Sequence, residues 1–373
     1  MDLGAITTAA IDNVSDFVPN VTLNADSKQV SLFVEANKIT WYVVPPIIFL
    51  FGTFGNIMII LLFSRRQSVS TLSLFFRTLA VSDLSLLYSG LFPLWVDVTF
   101  GFDLKSTHRV VCKCVTVFYY TTGALSAWML VAMTVQRAAS VIWPHKVNLI
   151  CTQKKATFYV AGLIVLFSVI NSHLFYGTEL VPRENSTDVW CSSYVVLEEY
   201  SFFLFKVWPW IDTLMFSLLP FLILIVSNSI LVWKVADAVR KARATLASGQ
   251  SDMLTSRTKK VSSLTMTLVV VSVTFFVLSS PLTLYLIIMP YTLLYADLNE
   301  AQDAALLFGY NVMKLLWYSN SAVNFYLYCL TGTKFRNEAW ELLCFTKGES
   351  VTSLTGAQVS ETGKSNENKE TEF

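Results

Sequence analysis

A bundle of seven membrane-spanning helices is the fold this sequence predicts, and three observations predict it. Of 373 residues, 54% are apolar and only 14% charged, with a mean hydropathy of +0.54. A soluble domain carries roughly 25% charged residues, so most of this surface faces lipid. Apolar windows of spanning length recur at 41–63, 72–96, 112–141, 156–175, 202–233, 261–289 and 304–330. A helix rising about 1.5 Å per residue crosses the roughly 30 Å hydrocarbon layer within each of them. Finally, basic residues alternate between the connecting loops. Those after the first, third and fifth windows hold Arg65, Arg66, Lys146, Lys154, Lys155 and the run from Lys234 to Lys260, while the others hold only Lys105, Arg109 and Arg183. Positive charge stays in the cytoplasm, which puts the N-terminus outside and the C-terminus inside, as for a multi-pass plasma-membrane protein.

The start, Met1 to Ala10, lacks the basic region and apolar core of a cleavable signal peptide, and residues 1–40 read as an extracellular tail. The triplets starting at Asn13, Asn20 and Asn185 are glycosylation acceptors, all on the side assigned outside. The bundle spans 41–330. Its second window places Asp83 mid-membrane, and its third opens on Cys112 and ends at Arg137. A guanidinium near lipid is costly and marks function. Cys191, in the loop after the fourth window, lies on the same oxidising side as Cys112, so the two can pair; Cys114 is the alternative partner. The fifth window carries Pro220 and Asn228, and the sixth Phe275 and Pro281, whose prolines each remove a helix hydrogen bond and permit a bend. The seventh has Asn320 and Asn324, four apart and hence on one face.

Residues 331–346 read as an amphipathic helix on the inner leaflet, with Phe335, Leu342 and Phe345 on one side and Cys344 as an acylation candidate. The Ser-, Thr-, Glu- and Lys-rich stretch 347–373 is expected to be disordered.

Asp83, Ser126, Asn320 and Asn324 offer a carboxylate, a hydroxyl and two amides at similar depth. Hard oxygen ligands of this kind suit a small cation such as Na⁺. A protonated Asp83 that only ties three helices together fits the same residues.

Gly55-Asn56, Leu79-Ala80 with Asp83, Cys112 with Arg137, Pro220, Phe275 with Pro281, and Asn320, Asn324 and Tyr328 follow one another in order at spacings that resemble the rhodopsin-like (class A) G-protein-coupled receptors, over about residues 41 to 345. The resemblance implies a receptor rather than an enzyme. It assigns Asp83, Ser126, Asn320 and Asn324 to an allosteric sodium site, with no other cofactor. It assigns Gln136, Arg137, Asn228, Phe275, Pro281 and Tyr328 to the switch that couples to a heterotrimeric G protein.

Three departures stand out. Gln136 replaces the acidic neighbour usual beside the arginine. Losing a charge-assisted contact there removes on the order of 1–3 kcal/mol from the resting state, so raised basal activity is expected unless another group holds Arg137. Ser279 stands where a tryptophan is usual before Pro281, and Phe325 where a proline is usual between Asn324 and Tyr328, which leaves the seventh helix straighter.

By the same resemblance, the aspartate of amine receptors is replaced by Tyr119, and the retinal lysine of opsins by Tyr318. The remaining mouth is aromatic and charged, with Asp97, Tyr119, Tyr120, Glu198, Asp212, Tyr285, Lys314 and Trp317 as candidate ligand contacts. The stretches Ser126-Ala127-Trp128 and Gln136 to His145 are similar to invertebrate neuropeptide receptors of the FMRFamide type. That resemblance implies a short extracellular peptide, often amidated at its C-terminus. Tail residues such as Ser350, Thr352 and Ser353 would recruit arrestin once phosphorylated. A chemosensory receptor for small molecules shares the architecture. A secondary transporter would require internal repeats, and an intramembrane enzyme a nucleophile and base set; neither pattern is present in the sequence. No basic motif points to nucleic acid.

Overall fold

A computed structural model describes residues 25–65, 70–143, 146–182, 189–192, 200, 202–247, 252–292 and 298–344. It is an all-α membrane bundle. Span one is α1 (Ala25–Arg65). Span two is α2 (Thr71–Leu86), a π turn (Leu87–Leu91) and α3 (Phe92–Phe100). A 3₁₀ turn (Leu104–Thr107) leads to span three, α4 (Arg109–Ile142). The short α5 (Val147–Ile150) precedes span four, formed by α6 (Gln153–Ile170) and α7 (His173–Gly177). Strands β1 (Glu179–Pro182) and β2 (Val189–Ser192) form an antiparallel hairpin, with Leu180 opposite Cys191. Span five begins with a π turn (Phe203–Val207) and α8 (Trp208–Thr213), then passes a second π turn (Leu214–Leu218) into α9 (Leu219–Ala247). Spans six and seven are α10 (Asp252–Thr292) and α11 (Glu300–Thr331), and α12 (Thr333–Leu343) follows.

Helices form because a backbone in hydrocarbon must satisfy its own hydrogen bonds, and local chemistry sets their ends. Ser70 and Ser73 make a reciprocal capping box at α2, Asn299 and Gln302 another at α11. Gly101, in the left-handed region at φ 68, ends α3. Among the described residues, six helical spans are long and apolar enough to cross a membrane. The seventh, α11, is equally long but buries Asn311, Lys314 and Asn324. It can do so because it packs against α1 and α10.

The three π turns each stop just short of a proline: Leu91 before Pro93, Val207 before Pro209, Leu218 before Pro220. A proline cannot donate to the carbonyl one turn back and clashes with it; a π turn widens the helix at that point and releases carbonyls. One of them, Met215 O, accepts from Trp128 Nε1 at 2.9 Å. At Pro281, by contrast, α10 stays helical throughout.

The first helix starts at Ala25, well outside the apolar window at 41–63. Its extension docks on α11: Asn37 Oδ1 accepts from Asn311 Nδ2 at 2.9 Å, and Phe33 meets Phe308 at 6.2 Å. The acceptors Asn13, Asn20 and Asn185 lie outside the described residues, as do Glu198 and the tail from 345.

Among the described residues the core has two large clusters and a small third one around Leu282 and Tyr310. Near Arg137, Leu79, Met129, Met133, Phe275 and Tyr328 are buried together; towards the disulfide, Trp41, Leu87, Leu91, Leu315 and Tyr318 form the other large one. On the Arg137 side α12 buries Phe335, Ala339 and Leu342 and leaves Trp340 exposed. Phe335 sits 5.4 Å from Tyr328, 5.9 Å from Phe325 and 6.0 Å from Phe63.

Candidate functional site

A disulfide joins Cys112 to Cys191, with Cα atoms 5.6 Å apart, and Cys114 is left exposed. The bond ties the hairpin to the start of α4, where further contacts hold it. Arg109 Nε donates to Glu179 Oε2 at 2.8 Å, and Lys113 lies 3.3 Å from the same oxygen. Ser106 Oγ accepts from the Cys191 amide at 2.7 Å. The Arg109 guanidinium, with help from Lys113, holds the Glu179 carboxyl below the usual carboxylate range.

Beneath this hairpin lies a cavity of about 160 Å³. It gathers six of the expected contacts: Asp97 from α3, Tyr119 and Tyr120 from α4, Asp212 from α8, and Lys314 and Trp317 from α11. Their placement depends on neighbours. Gly90 in the first π turn lets the aromatic rings approach span two, since a Cβ there would stand 2.5 Å from Tyr119 and 2.6 Å from the Tyr318 hydroxyl. Lys314 Nζ lies 5.4 Å over the Tyr310 ring, a cation–π contact that offsets the burial of its charge. Asp212 Oδ1 is buried without a hydrogen-bond partner.

Tyr285 is a correction. It is not in the cavity lining; its ring lies 5.5 Å from that of Tyr310, tilted by 34°, and Tyr310 is in the lining. The lining also includes Asp103, Lys105, Trp190 and Ser89, which the sequence did not mark as ligand contacts. The first two read as ordinary loop charges until the disulfide folds the loops inward. Trp190, adjacent to Cys191, was the one whose sequence position signalled it.

Below the cavity, Asp83 is fully buried. Its Oδ1 accepts from Ser126 Oγ at 2.6 Å and its Oδ2 from Asn324 Nδ2 at 2.8 Å. Ser321 is its third hydrogen-bonding neighbour. Asn320 makes no hydrogen bond to Asp83, a second correction: Asn320 and Ser321 differ by one helical step of 100°, and the docking of α11 turns Ser321 inward. Asn56 Nδ2 donates to Ser321 O at 2.8 Å, and Asn56 Oδ1 is buried and unpartnered.

At the far end, the described side chains give Arg137 no hydrogen bond or ion pair. Gln136 Oε1, Asn228 Oδ1 and Tyr328 Oη are likewise buried without hydrogen-bond partners. Phe275 meets Phe221 at 5.5 Å one turn below Ser279 and Pro281.

Residues 55–328 match the family described as "7 transmembrane receptor (rhodopsin family)". The chain belongs to that family. Human G-protein coupled receptor 65 is similar, at 23% identity over 276 residues, covering 72% of this chain and 75% of that protein. The chain is thus a multi-pass membrane receptor, not an enzyme, and family membership implies an extracellular ligand and coupling to a G protein.

As a rhodopsin-family receptor it departs from the pattern where its packing compensates. Phe325, in the usual proline position, fits because Gly55 faces it: a Cβ at Gly55 would stand 2.9 Å from the Phe325 Cβ. Ser279 is buried with its hydroxyl unpartnered, and its carbonyl accepts from Thr283 Oγ1, which bonds Ser217 at 2.8 Å. A polar link between spans five and six thus lies where an indole ring is usual.

Proposed function

We propose that the receptor takes the end of a short extracellular peptide, amidated at its C-terminus, in the cavity beneath the hairpin. The observation that supports this is the mixed charge of the lining: carboxylates of Asp97, Asp103 and Asp212 with the ammonium group of Lys314, around the rings of Tyr119, Tyr120 and Trp317. A peptide end carries both a basic or amide donor and backbone carbonyls, and an aromatic side chain stacks on such rings. Asp212, with one buried oxygen unsatisfied, is the acceptor for the donor group. An amine alone lacks its counter-ion at Tyr119. With only about 160 Å³ inside, the cavity admits the terminal residues and the rest of the peptide lies against the hairpin. The same small volume also favours a second reading, a chemosensory receptor for a small environmental molecule.

In this proposal the disulfide end is extracellular at the plasma membrane. Asp83, Ser126 and Asn324 hold a sodium ion, with Ser321 rather than Asn320 beside them; their hard oxygens and the unpartnered Asn56 Oδ1 fit such an ion. The inner ends of spans three, five and six receive the G protein. The tail from 347 recruits arrestin once phosphorylated, and Cys344, exposed at the end of α12, is acylated.

Screening cells that express the chain against amidated peptides, with calcium and cyclic-AMP readouts, tests the ligand assignment. A hit whose potency falls at least tenfold in Asp212→Asn supports the peptide. Responses to small odorant-like molecules alone would replace it with the chemosensory reading.

A further inference from the structure

A second concavity, of about 630 Å³, opens on the outside of the bundle between spans two and three at the disulfide end. Its floor and sides are apolar: Leu84, Tyr88, Val111, Val115 and Phe118. Tyr88, Val111 and Phe118 are exposed on the belt that faces hydrocarbon. The rim towards the loops is polar and carries Lys105. Among the described residues three cations occupy this region, and two of them, Arg109 and Lys113, share the Glu179 carboxylate. Lys105 forms no ion pair among the described residues; its backbone amide, not its ammonium, bonds Asp103.

The groove shares a wall with the ligand cavity. Ser89, Pro93, Lys105 and Val115 line both. The π turn before Pro93 produces this thin wall, because it widens the helix where Ser89 lies.

We propose that this groove binds a phosphate-bearing membrane lipid, with one acyl chain along Tyr88, Val111 and Phe118 and the phosphate on Lys105. The assignment rests on shape and charge together. An apolar trough in hydrocarbon accepts a chain wherever it exceeds a shallow surface, but an ammonium without an ion pair at headgroup depth selects an anion and fixes the chain's direction. The lipid's chain then lies against the back of Val115 and Pro93, the same residues a ligand meets from inside. The proposal holds whether the cavity takes a peptide or a small molecule.

Full-length receptor in phosphatidylcholine vesicles, doped with a single-chain glycerophosphate lipid bearing a diazirine in its acyl chain, supplies the test. After irradiation and proteolysis, the label is expected on the peptides containing Tyr88 and Val111 to Phe118. Labelling should fall at least threefold in Lys105→Ala and persist in Lys105→Arg. The same diazirine chain on an uncharged glycerol head should label wild type at least threefold less. An intact Cys112–Cys191 bond in each variant reports the fold, and the two-probe comparison on wild type decides the matter if a variant does not fold. Equal labelling by both probes, or label spread to lipid-facing sites such as Phe158 and Leu222 without dependence on Lys105, would overturn it.

Discussion

At the disulfide end, Arg109 and Lys113 converge on Glu179, Cys112 is bonded to Cys191, and the Cys191 amide is held by Ser106. At the opposite end, Arg137 has no partner among the described side chains, and Gln136 Oε1, Asn228 Oδ1 and Tyr328 Oη are unsatisfied. Among the described side chains, the two ends of one bundle therefore differ in how far their polar groups are committed. A lid over a ligand cavity is useful when rigid, because a preformed site spends less on ordering when it binds. A switch is useful when its polar groups can take different partners in two states of similar energy. Between them, Asp83 bonds Ser126 and Asn324 across three spans, linking the rigid half to the uncommitted one.

The largest effect should come from breaking the lid. Replacing Cys112 and Cys191 together by serine removes a link spanning 79 residues, worth on the order of 4 kcal/mol by chain entropy. The midpoint of thermal unfolding in detergent should drop and ligand binding vanish; an unchanged midpoint would mean that the ion pairs on Glu179 suffice. Next, Gln136→Asp places a carboxylate beside Arg137, which has no ion pair among the described residues. An added charge-assisted contact of about 2 kcal/mol should lower agonist-free signalling severalfold at equal surface expression, and equal basal output would show that Arg137 is not the restraint. Gly90→Ala and Gly55→Ala then compare the halves directly. Overpacking costs about 1–3 kcal/mol, partly offset by better helix propensity. Gly90→Ala should weaken ligand affinity through displaced Tyr119 and Tyr318, whereas Gly55→Ala should lower stability and leave affinity unchanged.

The smallest effect concerns pH. Because the folded Glu179 carboxyl is held below its ordinary value, its stabilisation is complete above that ordinary range and is lost as pH falls through the lowered value. Wild type should therefore lose thermal stability on acidification in this window, and Glu179→Gln should lose less. Parallel pH profiles of the melting midpoint would place the anchor elsewhere.

The number of spans, the Cys112–Arg137 span and the Asp83–Ser126–Asn324 set were legible in the chain, because each follows from one-dimensional properties. A hydrophobic window of fixed length makes a span, and helical spacing sets depth within it. Rotation about a helix axis and contact between distant loops have no such signature. Asn320 and Ser321 are both polar and lie at the same depth; only the docking of α11 on α1 and α10 decides that Ser321 faces Asp83. Tyr285 and Tyr310 are both tyrosines near the mouth, and packing alone puts Tyr310 in the lining. Lys105 is an unremarkable loop lysine until the disulfide draws its loop over the cavity. Composition and periodicity thus determined that this chain is a seven-span bundle with a polar centre and a charged inner end, and the ordered motifs carried the receptor resemblance. Tertiary structure decided which side of each helix meets the ligand and the lipid, because that depends on the angle at which helices pack, a quantity shared among neighbours and written in no single segment.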